Sequence, residues 1–158
     1  MQNMNETKEV KEFLNEYDEK VIALAQHLGL NLEPDFDSYV DEEATEEEQE
    51  EQRAEAIKEV TDELDMITEN AWGELDYYGE TYLVLTDSEA DDIEDERLNQ
   101  YIEECIMPEI PEHLQNYFDE EAWKRDARMD GRGHNISTYD GCEYEEIVND
   151  TWYYIYRV

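Results

Sequence analysis

Residues 79–106 read GETYLVLTDSEADDIEDERLNQYIEECI, and the change of period inside this stretch decides the fold class. Tyr82-Leu83-Val84-Leu85 is a short continuous apolar run behind Gly79, the pattern of a buried strand. Thr86 or Asp87 then caps a helix, and Glu89 stands three residues after Thr86, as a capping box requires. Beyond the cap, Ala90, Ile93, Leu98, Tyr101, Ile102 and Cys105 make a narrow apolar stripe. Asp87, Glu89, Asp91, Asp92, Asp95, Glu96, Glu103 and Glu104 occupy the opposite face. A strand that feeds directly into an acidic amphipathic helix predicts an α+β unit.

The residues downstream extend that unit. Pro108 ends the helix, and Pro111 sits at the start of a further one, IPEHLQNYF, where its missing N–H costs nothing. DEEAWKRDAR predicts another helix, after which Gly131 and Gly133 break the chain. Asp140-Gly141 gives a turn into the strand CEYEEIV, a hairpin signal, and TWYYIYRV suits a last strand. Residues 76–158 are therefore expected to form a small α+β domain, with a three- or four-stranded, mainly antiparallel sheet and packed helices.

Residues 1–75 read instead as an acidic helical region. From 6 to 28, Val10, Phe13, Leu14, Tyr17, Val21, Leu24 and Leu28 recur at spacings of three and four, one helix with Gly29 as its C-cap. A loop with Pro34 leads to a second helix, from about Glu46 to Trp72, striped by Ile57, Val60, Leu64, Ile67 and Ala71. The two stripes can pack as a helical hairpin, on each other or on a partner subunit. DEEATEEEQEE at 41–51 holds eight carboxylates and no base. Acids in a first turn favour the helix dipole while like charges at i,i+4 oppose it, so helix and solvated tail are both compatible.

The 158 residues carry 47 acids against 11 bases, a net charge of −36. This charge excludes binding to nucleic acid through a basic footprint, and attachment to an anionic membrane through polybasic segments. No apolar run approaches the ~18 residues that span a bilayer, and no secretion signal opens the chain, so a soluble, intracellular (cytoplasmic) protein is expected. The 12 Tyr, 3 Trp and 3 Phe are enough to anchor a core against the self-repulsion. Cys105 and Cys142 have neither metal-site nor disulfide spacing and are expected as free thiols.

Catalytic and metal chemistry find little support. Carboxylates are so abundant that no pairing among them is informative, and those of 41–51 should titrate as a crowd. The calcium-loop pattern fails from Asp87, where Glu89 replaces an Asp, no Gly follows, and Leu98 stands where the closing Glu belongs. His27, His113 and His134 stand far apart, Ser38, Ser88 and Ser137 lack a nucleophile-elbow setting, and Gly131-Arg132-Gly133 is no phosphate loop. No catalytic residue, metal site or cofactor is expected. Lys124, Arg125, Arg128 and Arg132 gather within nine residues, either as internal ion pairs or as an electropositive spot at a subunit contact.

Duplex DNA carries two charges per base pair, so −36 equals the charge of roughly 18 base pairs. Carboxylates on exposed helix faces are accessible to Arg and Lys as phosphates are, and steering makes such association fast and salt-sensitive. The residues expected to imitate phosphates are Glu42, Glu43, Glu46, Glu47, Glu50 and Glu51, with Asp87, Glu89, Asp91, Asp92, Asp95 and Glu96.

The segment 114–126, LQNYFDEEAWKRD, has the pattern L-Q-N-Y-x-D-x-x-A-x-x-R-D, which resembles the C-terminal signature of the ArdA antirestriction proteins. The match covers residues 112–138 and ends in a short β segment from Gly133 to Thr138, while the first eighty residues do not resemble the family's opening domains. Leu114, Asn116, Tyr117, Asp119, Ala122, Arg125 and Asp126 take the motif positions. The resemblance implies an acidic, homodimeric DNA mimic of a phage or mobile element, not an enzyme, that occupies the DNA-binding groove of a type I restriction-modification enzyme. Inhibition of a CRISPR or other nucleic-acid-binding defence effector fits the same residues. So does an acidic chaperone or regulator of a basic host protein.

Overall fold

The computed structural model describes residues 3–158, with side chains from Lys8 onward. The chain divides into two compact units, Met1–Gly79 and Glu80–Val158. Helices and antiparallel strands occur in both, an α+β fold.

In the first unit the chain forms α1 (Asn3–Leu14), α2 (Glu19–His27), α3 (Phe36–Tyr39), α4 (Glu46–Leu64) and a hairpin of β1 (Thr68–Glu69) with β2 (Leu75–Tyr77). The single helix expected over 6–28 is two. Asp18 leaves the helical region and accepts the Lys20 N–H at 2.8 Å, starting α2 with a cap of its own. Gly29, at φ +72°, ends α2 as expected. The N–H of Leu30 reaches the Ala25 carbonyl at 3.0 Å and that of Gly29 reaches Gln26 at 3.1 Å, a Schellman pair.

Ile22, Ala23, Leu24 and Ala25 of α2 are buried, as are Phe36 of α3 and Ala56, Val60 and Leu64 of α4. Both α2 and α3 pack on α4. The second helix stops at Leu64 rather than at Trp72, and the expected purely helical region ends in a hairpin. Asn70 shapes the hairpin turn: its carboxamide oxygen accepts the N–H groups of Trp72 and Glu74, a side-chain turn that competes with helix there.

The acid run at 41–51 is helical from Glu46. Thr45 and Glu48 form a capping box, with Glu48 N–H to Thr45 Oγ1 at 3.3 Å and Thr45 N–H to Glu48 Oε2 at 2.9 Å. With Glu46, Glu47 and Glu48 all in the first turn, cap and dipole outweigh the like-charge repulsion. The uncharged Gln49 and Gln52 tie residues 41–44 down: Gln49 Nε2 donates to the Asp41 carbonyl at 3.0 Å, and Gln52 Oε1 accepts the Asp41 N–H at 2.9 Å.

The second unit opens with β3 (Glu80–Thr86) and α5 (Asp87–Tyr101), continues through 3-10 turns to α6 (Glu120–Arg128) and α7 (Arg132–Ile136), and closes with β4 (Tyr144–Val148) and β5 (Thr151–Arg157). The last strand, β5, is central, antiparallel to both neighbours, with Val84 opposite Ile155 and Glu146 opposite Tyr153. The Thr86–Glu89 capping box is present at 3.3 and 2.9 Å and turns the chain from strand to helix. Ala90 of α5 packs with Leu85, Ile136 and Tyr156 in a buried cluster, flanked by Leu83, Ile93, Tyr154 and Val158.

Several boundaries depart from expectation. Before Pro108, which cannot donate to the ladder, α5 loosens into a π turn at Ile102–Ile106. Glu112–Tyr117 is 3-10 rather than α-helix. The expected β segment from Gly133 to Thr138 is occupied by α7. Asp140-Gly141 is not the hairpin turn: Asn149 and Asp150, at φ +47° and +64°, connect β4 to β5. A two-residue hairpin loop of type I′ has positive φ at both positions, which Asn and Asp tolerate.

Gly133 decides how closely the last loop approaches. It is buried in α7, and a Cβ there would lie 2.7 Å from the backbone of Gly141, Cys142 and Glu143. In an open helix Gly→Ala gains up to about 1 kcal/mol. Here Gly133→Ala is expected to cost about 2–3 kcal/mol through overpacking against backbone, read as a lower urea midpoint. An unchanged or higher midpoint contradicts the close approach.

Candidate partner-binding surface

The acids of α5 fall into three rows. Ala90, Glu94 and Leu98 face inward. Asp87, Asp91 and Asp95, one turn apart, face three of the clustered bases. Arg132 holds Asp87 at 2.8 Å and Asp91 at 3.0 Å, and Asp95 takes Arg128 at 2.6 Å and Lys124 at 3.2 Å. The bond from Lys124, with Arg128 beside it, holds the Asp95 carboxyl below the usual carboxylate range. Asp92 and Glu96 are exposed and carry no ion pair among the described residues. Glu89 is committed to the cap of α5.

Arg132 is the centre of this network. It is 16% exposed and also binds Glu143 at 2.9 Å, while its guanidinium lies 4.5 Å from the centre of the Tyr154 ring. Burial works against its charge, but the bonds from Glu143, Asp87 and Asp91 outweigh that and hold it protonated. The fully buried Tyr156 donates its hydroxyl to the same Glu143. Glu94, 4% exposed, is met by Arg128 at 3.5 Å and by Asn135 at 3.0 Å. Of the four clustered bases, Lys124, Arg128 and Arg132 thus serve internal pairs. Arg125 is exposed, with no ion pair among the described residues.

The α4 block is arranged differently. Glu42, Glu43, Glu46, Glu47, Glu50 and Glu51 are all exposed, and none forms an ion pair among the described residues. The bases of this helix lie elsewhere: Arg53 meets Glu9 at 3.5 Å and Lys58 meets Asp62 at 2.9 Å. Carboxylates one turn apart stand about 6 Å from each other along the axis, an open row of unneutralised charge.

Sequence reasoning missed a second set of carboxylates, those bonded by tyrosine. Tyr39 donates to Glu59 at 2.8 Å, Tyr77 to Glu63 at 2.9 Å and Tyr17 to Asp65 at 3.0 Å. The signal available was the excess of Tyr over Phe, 12 against 3, in a chain short of bases.

The motif residues are mostly at the surface. Asp119 caps α6 by accepting the Ala122 N–H at 3.0 Å, which accounts for its spacing to Ala122. Asn116, Arg125 and Asp126 are exposed, and Leu114 and Tyr117 are 45% and 83% exposed. Cys105 and Cys142 are free and exposed. Among the described residues no group of three or more His, Cys, Asp or Glu is placed to hold a metal ion, and no helix is long and apolar enough to cross a membrane.

Arg132→Ala leaves Asp87, Asp91 and Glu143 without their shared cation, and is expected to cost about 2–3 kcal/mol after discounting the exposed partners. Arg125→Ala should stay within about 0.5 kcal/mol. Equal effects in chemical denaturation contradict the assignment.

Titration of the tyrosines gives a further check. Burial, helped by the bond to Glu80, pushes the Tyr82 hydroxyl up to about 12, and burial together with Glu143 raises Tyr156. Unfolded tyrosine ionises near 10. The stability contributed by Tyr82 is complete below about pH 10 and is lost as pH rises through about 12, while that of Tyr156 persists to higher pH. Tyrosinate absorbance is expected to lag and then to rise together with unfolding. Full ionisation near pH 10 with a native near-UV spectrum contradicts this.

Comparison with known proteins adds the identity. Neither the curated proteins nor the solved structures contain a match. A family model described as antirestriction protein (ArdA) matches residues 1–140. The likeness therefore reaches well beyond 112–138 and takes in the first eighty residues, against the expectation that only the C-terminal segment resembles the family. The proteins of this family are inhibitors of host restriction-modification rather than enzymes. A capped acidic row on α4, an ion-paired α5 and the LQNYFDEEAWKRD motif are features of a chain that belongs to the ArdA antirestriction family.

Proposed function

We propose that the protein inhibits a type I restriction-modification enzyme by DNA mimicry, presenting carboxylates where the enzyme's bases expect phosphates. The observation that carries this reading is the unneutralised run of Glu46, Glu47, Glu50 and Glu51 on a capped helix, with Glu42 and Glu43 exposed in the turn before it. Asp92 and Glu96 of α5 add charges of the same kind. Asp87, Asp91 and Asp95 contribute less, because Arg132, Arg128 and Lys124 already answer them. Long-range attraction accelerates the encounter, and salt screens it.

In this reading the inhibitor acts in the host cytoplasm as a homodimer and does not bind nucleic acid. Exposed Leu114 and Tyr117 support the motif as the subunit contact, since these apolar groups do little for their own fold.

The test is competition on a type I methyltransferase core. Duplex DNA carrying the recognition site is expected to displace the inhibitor, and affinity is expected to fall steeply with salt. Replacing Glu46, Glu47, Glu50 and Glu51 together by Gln should weaken binding roughly tenfold to a hundredfold and flatten the salt dependence. A ternary complex with DNA, or affinity indifferent to salt, would sink the mimic reading.

A further inference from the structure

Three tyrosines from separate parts of the first unit reach carboxylates on the C-terminal half of α4 and at its C-cap, Asp65. Tyr17 follows α1, Tyr39 belongs to α3 and Tyr77 to β2, and their hydroxyls meet Asp65 at 3.0 Å, Glu59 at 2.8 Å and Glu63 at 2.9 Å. Each tyrosine is half-buried, while Glu59 and Asp65 are exposed and Glu63 is half-exposed. None of the three carboxylates forms an ion pair among the described residues.

A Lys or Arg in the tyrosine's place would fix the carboxylate equally well but cancel its charge. A neutral phenol fixes the carboxylate and leaves the full negative charge available. The contrast lies within the protein itself: on α5, Asp87 and Asp91 share Arg132 and Asp95 meets Lys124, so bases cancel part of their charge. The Glu59 carboxylate raises the Tyr39 hydroxyl, and burial with the partner carboxylate raises Tyr17 and Tyr77, so all three remain protonated donors at neutral pH.

We infer that Tyr17, Tyr39 and Tyr77 are positioning residues of the inhibitory surface, holding Asp65, Glu59 and Glu63 as ordered, unneutralised charges for the basic groove of the target. The inference rests on the mimic reading and extends it to a half of α4 that sequence reasoning left out. Immobilising a carboxylate before binding removes an ordering cost otherwise met on association, which converts to roughly threefold to tenfold in affinity per side chain.

The experiment uses the full chain and the same methyltransferase core, with Y17F, Y39F and Y77F singly, E59Q, E63Q and D65N singly, and the matched doubles. Each Tyr→Phe variant should bind threefold to tenfold more weakly at low salt, with a salt slope equal to wild type because no charge is lost. Each carboxylate variant should weaken binding and also reduce the slope. In the doubles, the Phe change should add nothing once its carboxylate is gone, a result that a general loss of stability would not produce. Wild-type affinity in all three Phe variants, beside weakened carboxylate variants, overturns the positioning role and leaves the mimic reading intact. Wild-type protein that DNA does not displace overturns both. The carboxylate variants keep the tyrosines, so they report even where a Phe variant folds poorly.

Discussion

Eleven cations serve 47 carboxylates, and the structure depends on where those few are used. A chain at −36 repels itself at every helix, so cohesion must come from burial, caps and neutral donors wherever a base is absent. The second unit takes a concentrated share. Lys124, Arg128 and Arg132 pin three successive turns of α5, and Arg132 alone draws Asp87, Asp91 and Glu143 together over Tyr154. The first unit does without such a cluster. Its long acidic helix is started by a threonine–glutamate box, tied by two glutamines and braced by three tyrosines.

This division separates two uses of a carboxylate. Where a base answers it, the carboxylate belongs to the fold and adds little to the outward field. Where a hydroxyl or an amide holds it, or nothing does, its charge reaches solvent undiminished. The acidic blocks look alike in sequence, yet bases cancel part of the charge on α5 while Glu46, Glu47, Glu50 and Glu51 of α4 keep theirs. An antirestriction protein that competes with DNA needs the second kind.

Much of the fold was legible because it rests on local chemistry. The Tyr82–Leu85 run, the Thr86–Glu89 box, the Gly29 cap and the closing aromatic strand all appear where their residues indicate. Misreadings came where a single side chain overrides the period. Asp18 splits one apolar stripe into two helices, and Asn70 builds a hairpin turn where the second stripe was read as helix. Gly133 reads as a breaker but serves as a contact point inside α7, and Asn149-Asp150 supplies the hairpin turn that Asp140-Gly141 seemed to offer. The site was legible only as charge. Pairing depends on which residues the fold brings together over separations such as Arg132 with Asp87 or Tyr17 with Asp65, and no local pattern encodes that.

The central claim is that charge left free by the fold is the charge the target contacts. Carboxyl footprinting by mass spectrometry, on the inhibitor alone and bound to a type I methyltransferase core, tests it most directly. Strong protection on binding is expected at Glu46, Glu47, Glu50 and Glu51, and little change between free and bound protein at Asp87, Asp91 and Asp95, which are already paired with Arg132, Arg128 and Lys124. Protection confined to those three aspartates, with the α4 row still reactive in the complex, would contradict it.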